Sequence, residues 1–242
     1  MIKLFRKIRQ NLLSEGNNGK YLKYAVGEII LVVIGILIAL QINNWNQGRQ
    51  QNRILNNIYA TIKSDLQEDI KNIDKVINAS QPLEKDYLAI INKTLNKEDF
   101  KNCDKCWQIN MGYADIELRK NGIELMLEYK MLEINSTDSL EINLKRFYID
   151  SHSNIKEDLD EIVKEIDNFL ASIRQTESWL PDLVKGIQNE NFVKYATTNI
   201  GYRNSATIIH FIIFKKYIPA LLDYKKNALE FIPLIDQKMK NN

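Results

Sequence analysis

Histidine and cysteine are nearly missing from this chain, with two of each in 242 residues. His152 and His210 stand alone on separate helical stretches, too few and too far apart to build a tetrahedral zinc site with the cysteines. Cys103 and Cys106 form one C-x-x-C pair. A thioredoxin-type redox centre needs that motif at a helix start beside a βαβ pattern, and neither surrounds it here, so the pair reads as a local disulfide or as two thiols. Glycine is sparse and scattered: none of the nine glycines completes a G-x-x-x-x-G-K phosphate loop, and no G-x-S-x-G elbow occurs. An excess of one charge is missing too. Thirty-three basic residues face 31 acidic ones, which argues against nucleic acid and against an acidic substrate. No catalytic residue, metal or cofactor is assigned.

What the chain does have is one long apolar run. Within "GEIILVVIGILIALQINNWN", residues 27–46, twelve residues from Ile29 to Leu40 carry no polar side chain. A core helix would show a polar position every turn. The stretch from Ala25 to Ile42 spans about 27 Å as a helix, just enough for a hydrocarbon layer of about 30 Å. Tyr21 and Tyr24 before it and Trp45 after it suit the two headgroup levels. No small-x-small cleavage site follows, so an uncleaved transmembrane helix is expected over residues 21–45.

Charge sets its direction. Residues 1–45 hold six basic and two acidic residues, and the positive-inside rule puts the N-terminus in the cytoplasm. Residues 1–20 form a basic amphipathic segment, with Ile2, Phe5, Ile8, Leu12 and Leu13 opposite Lys3, Arg6, Lys7 and Arg9. Glu28, directly before the apolar run, reads in two ways. It is an interfacial acid, or it faces a partner helix across the small-residue stripe of Gly27, Gly35 and Ala39.

Residues 46–242 continue at helical period. Ile54, Ile58, Ile62, Leu66, Ile70, Ile73 and Ile77 make one strip, and a separate piece is expected from Leu83 to Leu95 after Pro82. "NKEDFKNCDKCWQIN" then reads as loop, and "IELMLEY" is the one stretch with strand-like alternation. Asp138 with Glu141 marks a capping box opening a run through Leu144, Phe147, Ile155, Ile162 and Phe169. Its acids at 156–167 are expected on the solvated face. A last run from about Asn204 to Lys238 carries Ile209, Ile213, Tyr217, Leu221, Tyr224, Ala228, Phe231 and Ile235, bent by Pro219 and Pro233. Lys215 and Lys216 break "IIHFIIF" too early for a second span. The fold expected is all-α, a transmembrane helix leading into an antiparallel bundle of about four long helices over residues 46–242.

The quoted stretch "KYAVGEIILVVIGILIALQINNWN", preceded by "FRKIRQNLL", resembles the N-terminal signature of a widespread bacterial family of single-span membrane proteins of unknown function. "LRKNGIELM" (118–126) and "STDSLEINLKRFY" (136–148) are similar to that family's helix, glycine-led stretch and second helix. The resemblance implies a two-membrane bacterium, inner-membrane location and a periplasmic body; it brings no reaction and no ligand.

Three functions are weighed on this basis. The first is a non-enzymatic envelope scaffold that binds the lipid bilayer and a protein partner or its own copies. The second is a ligand-sensing bundle acting through another membrane protein, its small molecule unnamed. The third is an accessory subunit of a proton-driven inner-membrane complex using Glu28.

Overall fold

The computed structural model describes residues 18–130 and 138–241, and every regular element among them is helical. Helix α1 runs Asn18–Ile91; after it come α2 (Lys97–Lys101), a 3₁₀ turn (Cys106–Gln108) and α3 (Asn121–Lys130). Then follow α4 (Ser139–Arg174), α5 (Leu180–Val184), α6 (Glu190–Thr198), α7 (Ile200–Phe211), a π-helical turn (Ile212–Tyr217) and α8 (Ile218–Asn241). The chain divides into two units, Met1–Leu55 and Asn56–Asn242.

In the first unit the described chain is helix alone. Its apolar side chains from Ile29 to Ile42 are 46–63% exposed, and none of them is covered by protein. With no water in a hydrocarbon layer, only a backbone whose hydrogen bonds close internally can cross it, and an unbroken α-helix meets that condition. Among the described residues, two helical stretches are long and apolar enough to cross a membrane, Ala25–Ile91 and Ile200–Asn241. The basic amphipathic segment expected at 1–20 lies outside the described residues but for its last three.

The second unit is built on three long helices: residues 56–91 of α1, α4, and the continuous run α7–π turn–α8. α1 and the C-terminal run are antiparallel, as successive bonds along them show. The Asn56 amide donates to the Met239 carbonyl at 3.3 Å, Lys63 pairs with Asp236 at 2.6 Å, and Lys225 with Asp74 at 2.5 Å. α4 is antiparallel to the same run through Lys238–Asp138 at 2.5 Å, the tilted Phe147–Tyr224 ring pair and Phe169–Tyr202 at the far end. α1 and α4 therefore lie parallel. The apolar face of Ile200–Asn241 is spent on this packing, with Tyr202, Ala206, Ile209, Tyr217, Leu221, Tyr224, Ala228 and Ile235 all buried.

Three expectations need correction. The bundle has three long helices rather than about four, because the piece expected at Leu83–Leu95 is the end of α1. Pro82 lies on the exposed side of the helix, as does Asn78, whose carbonyl it leaves without a donor, and water can serve that group. The helix stops at Ile91, where Lys93 takes a left-handed conformation (φ 57°) and Thr94 N–H reaches back to the Ala89 carbonyl at 3.0 Å, a Schellman ending. "IELMLEY" is helical, lying inside α3. Asp158 is 7% exposed instead of solvated, held by Lys216 at 3.2 Å.

The starts of the helices follow from local chemistry. The Asp138 side chain accepts from Leu140 N–H at 2.9 Å, Asn189 caps α6 and Asn199 caps α7. At the end of the bundle away from Asn56, Phe100, Trp107, Trp179, Phe192, Tyr195 and Tyr202 pack in edge-to-face and tilted pairs, closing the core with aromatic surface.

Candidate functional site

Helix α3 begins without a capping side chain of its own. Glu124 N–H bonds the Lys120 carbonyl at 2.9 Å, so Lys120 stands at the cap position, where a lysine offers no acceptor. The missing acceptors come from α1. Asp65 Oδ2 accepts the Gly122 N–H at 2.7 Å, and Asp69 accepts the Arg119 N–H through Oδ1 at 3.1 Å. Both carboxylates sit at the positive end of α3, where the helix dipole favours them.

Gly122 makes the approach possible. A Cβ there would fall 2.5 Å from the Ile62 nitrogen and 2.6 Å from its Cα, inside the backbone of α1. Only a residue without a side chain lets α3 come this close.

Around the acid pair the core is polar and aromatic. The Tyr224 hydroxyl donates to Asp69 Oδ2 at 2.6 Å, and Tyr148 lies 5.4 Å from His152, ring to ring. Asp65 is 4% exposed and Asp69 fully buried. Burial drives the Asp69 carboxyl up to about 6, against the opposing pull of its bonds from Tyr224 and Arg119. Burial also holds the Tyr148 and Tyr224 phenols far above their ordinary range, with the nearby aspartates adding to it. His152 is held below its usual value, first by burial and then by Lys120. A little further along, Glu141, 2% exposed and expected to close a capping box, accepts from the Tyr59 hydroxyl at 3.4 Å. Chemically, these acids act as acceptors for buried donors.

Sequence reasoning saw none of this pair. It placed the strip of α1 on its isoleucines, while Asp65 and Asp69 lie on the same buried face. One signal was present, a glycine leading "GIELM", while Asn121 ahead of it reads from the sequence as an ordinary cap.

The residues singled out from the sequence are not brought together. Cys103 and Cys106 are joined by a disulfide in the loop after α2. Asp86 stands beside them, but two sulfurs bonded to each other are not thiolate ligands. The loop borders a cleft of about 720 Å³ lined by Trp107, Met111, Leu183, Ile187 and Gln188, with Lys101 and Asp104 at its edge. Neither histidine reaches it: His152 is in the bundle core, and His210 packs against Tyr87 and Phe214 with Glu84 at 3.7 Å. Glu28 is half-buried on α1. Gly27 and Gly35 meet nothing within 4 Å, and Ala39 is exposed. Trp45 is 63% exposed with the Arg49 guanidinium 5.0 Å above its ring, whereas the side chains of Tyr21 and Tyr24 lie outside the described set.

No curated protein and no solved structure matches the chain. Residues 28–125, the stretch that holds the apolar run, both aspartates and Gly122, match the model of a family of unknown function, DUF6090.

Proposed function

We propose that this chain is a single-span membrane protein whose helical domain stands in the periplasm of a two-membrane bacterium and works as a non-enzymatic interaction or scaffold module. The observation that carries the reading is the uncovered apolar face of α1 from Ile29 to Ile42, which has no stable place in water and matches a hydrocarbon layer in length. Six basic residues on its N-terminal side support an N-terminus in the cytoplasm. The Cys103–Cys106 disulfide supports an oxidising compartment for the domain.

The scaffold role rests on how the acids are used. Asp65, Asp69, Glu141 and Asp158 are buried and bonded to donors of the fold itself, an arrangement suited to rigidity rather than turnover. On α4, meanwhile, Ile142, Ile149 and Val163 stay exposed at heptad spacing, a stripe suited to a helical partner.

Two measurements test this. A reporter active only in the periplasm, fused after Asn242, is expected to be active, and a cytoplasmic reading would end the topology. Cross-linking from Ile149 in the native membrane is expected to trap a discrete protein partner or a second copy. A strictly monomeric, unattached product would end the scaffold reading.

A further inference from the structure

The segment just past the apolar run carries cations and no acid of its own. Between Glu28 and Asp65 the sequence has no acidic residue, and its bases are Arg49, Arg53 and Lys63. Lys63 is spent on Asp236. Arg49 and Arg53 are both exposed, and with Trp45 they recur at steps of four, one face of α1.

Geometry fixes the level of that face. Side chains on an α-helix lean toward its N-terminus, and for α1 that direction leads back to the apolar run. Arg49 shows the lean: its guanidinium carbon lies 5.0 Å over the Trp45 ring, although its own Cα is a turn further on. Trp45 follows Ile42 by about 4.5 Å of helix, within the roughly 5–7 Å of a headgroup layer. Arg49 is thus folded down to the headgroup level. Held over an indole face, a guanidinium still directs N–H groups away from the ring, and these can take a phosphate in bidentate fashion.

We infer that Trp45, Arg49 and Arg53 form a clamp for the phosphate of anionic phospholipids in the outer leaflet of the membrane that α1 crosses. The inference rests on the membrane-spanning reading above. In the clamp, Trp45 seats its ring among glycerol and upper acyl groups, and Arg49 bridges the ring to one phosphate. Arg53, a turn above, leans toward the same or a neighbouring headgroup. This fixes the depth of α1 from the outside, while the basic residues before Tyr21 act on the opposite leaflet.

The test uses the full chain in phosphatidylcholine vesicles doped with a minor fraction of brominated phosphatidylglycerol or, separately, brominated phosphatidylcholine. Trp45 fluorescence is read as the difference between the native chain and Trp45→Phe, which removes the signal of Trp107 and Trp179. Each surface cation enriches anionic lipid by about fivefold at most, so quenching by the brominated phosphatidylglycerol should exceed that by brominated phosphatidylcholine severalfold. Arg49→Gln with Arg53→Gln should erase the excess and keep the phosphatidylcholine quenching. Equal quenching by the two lipids in the native chain, or an excess that survives the double substitution, overturns the clamp and leaves the span intact. Failure of both lipids to quench Trp45 overturns the clamp together with the span.

Discussion

Replacing Gly122 by alanine sets two physical effects of opposite sign against each other. In an isolated helix the change is favourable by about 0.5–1 kcal/mol, because alanine loses less backbone entropy than glycine. In this fold the new methyl would sit 2.5 Å from the Ile62 nitrogen, which belongs to a long helix and cannot step aside. α3 must withdraw by about 1 Å to restore ordinary contact. That lengthens the 2.7 Å bond from Gly122 N–H to Asp65 and leaves a 4%-exposed carboxylate short of a donor. A hydrogen bond to a charged group contributes about 1.5–3 kcal/mol, and loosened packing against Ile62 adds about 1 more. After the propensity gain is subtracted, the net loss expected is about 2.5 kcal/mol, or roughly 5–10 °C in Tm for a domain of this size. Thermal unfolding of the full chain in detergent, followed by circular dichroism, reads it directly. A second substitution sharpens the assignment: Asp65→Asn in the Gly122→Ala background should cost less than Asp65→Asn alone, because the shared bond is already weakened. A Tm that rises or stays level in Gly122→Ala would refute the close approach and leave helix propensity as the dominant effect.

Further outcomes follow from the same contacts. Asp69, raised to about 6, holds its proton more tightly folded than unfolded, so its contribution to stability falls as pH climbs from about 4 to about 6, by roughly 3 kcal/mol at most. His152 and His210, both held below their usual value by burial, work in the other direction, so the readout is the difference in denaturation midpoint between native chain and Asp69→Asn at about pH 5 and about pH 7. That difference should favour the native chain at the lower pH, and a constant difference would refute it. Tyr224→Phe keeps the ring against Phe147 but removes the donor to Asp69, and should cost about 2 kcal/mol by urea titration; a neutral result would show the 2.6 Å bond to be dispensable. Cys103→Ser with Cys106→Ser opens a loop of sequence separation 3, so the chain should keep its helix content and lose about 2 kcal/mol or less. Unfolding of the whole domain would show that the bridge does more than staple a loop.

How much of this could be read beforehand depends on whether the interaction is local. Asp138 was legible as a cap because its partner, Leu140, is two residues on. Ile58, Ile62, Leu66 and Ile73 were legible as core because spacing alone places them on one face, although Ile54 proves exposed. Asp65 and Asp69 were not, since nothing within a turn of them says that their partners lie at Arg119, Gly122 and Tyr224. The same limit explains Asp158, whose burial depends on Lys216 reaching over from the π turn. Pro82 misled for a different reason. A proline ends a helix when its lost bond is buried, and burial at that position is a property of the assembled bundle. The Cys103–Cys106 bridge was one of two readings open from the sequence, and context, not spacing, chose between redox and staple.

The π-helical turn at Ile212–Tyr217 had also left a trace that went unread. Ile209, Ile213, Tyr217 and Leu221 are separated by three successive fours, twelve residues where three α-turns hold about 10.8. The turn comes directly ahead of Pro219, whose ring would otherwise press on the Lys215 carbonyl, and the Ile218 N–H bonds back to Ile213. α7 and α8 are consequently two cylinders spliced with a phase offset of about 100°. Excising one residue from the splice would swing Tyr224, Lys225 and Asp236 off α1 together while leaving Tyr202 and Ile209 seated. Length changes in this helix are therefore tolerable only as matched pairs, one insertion answering one deletion on the same side of the splice.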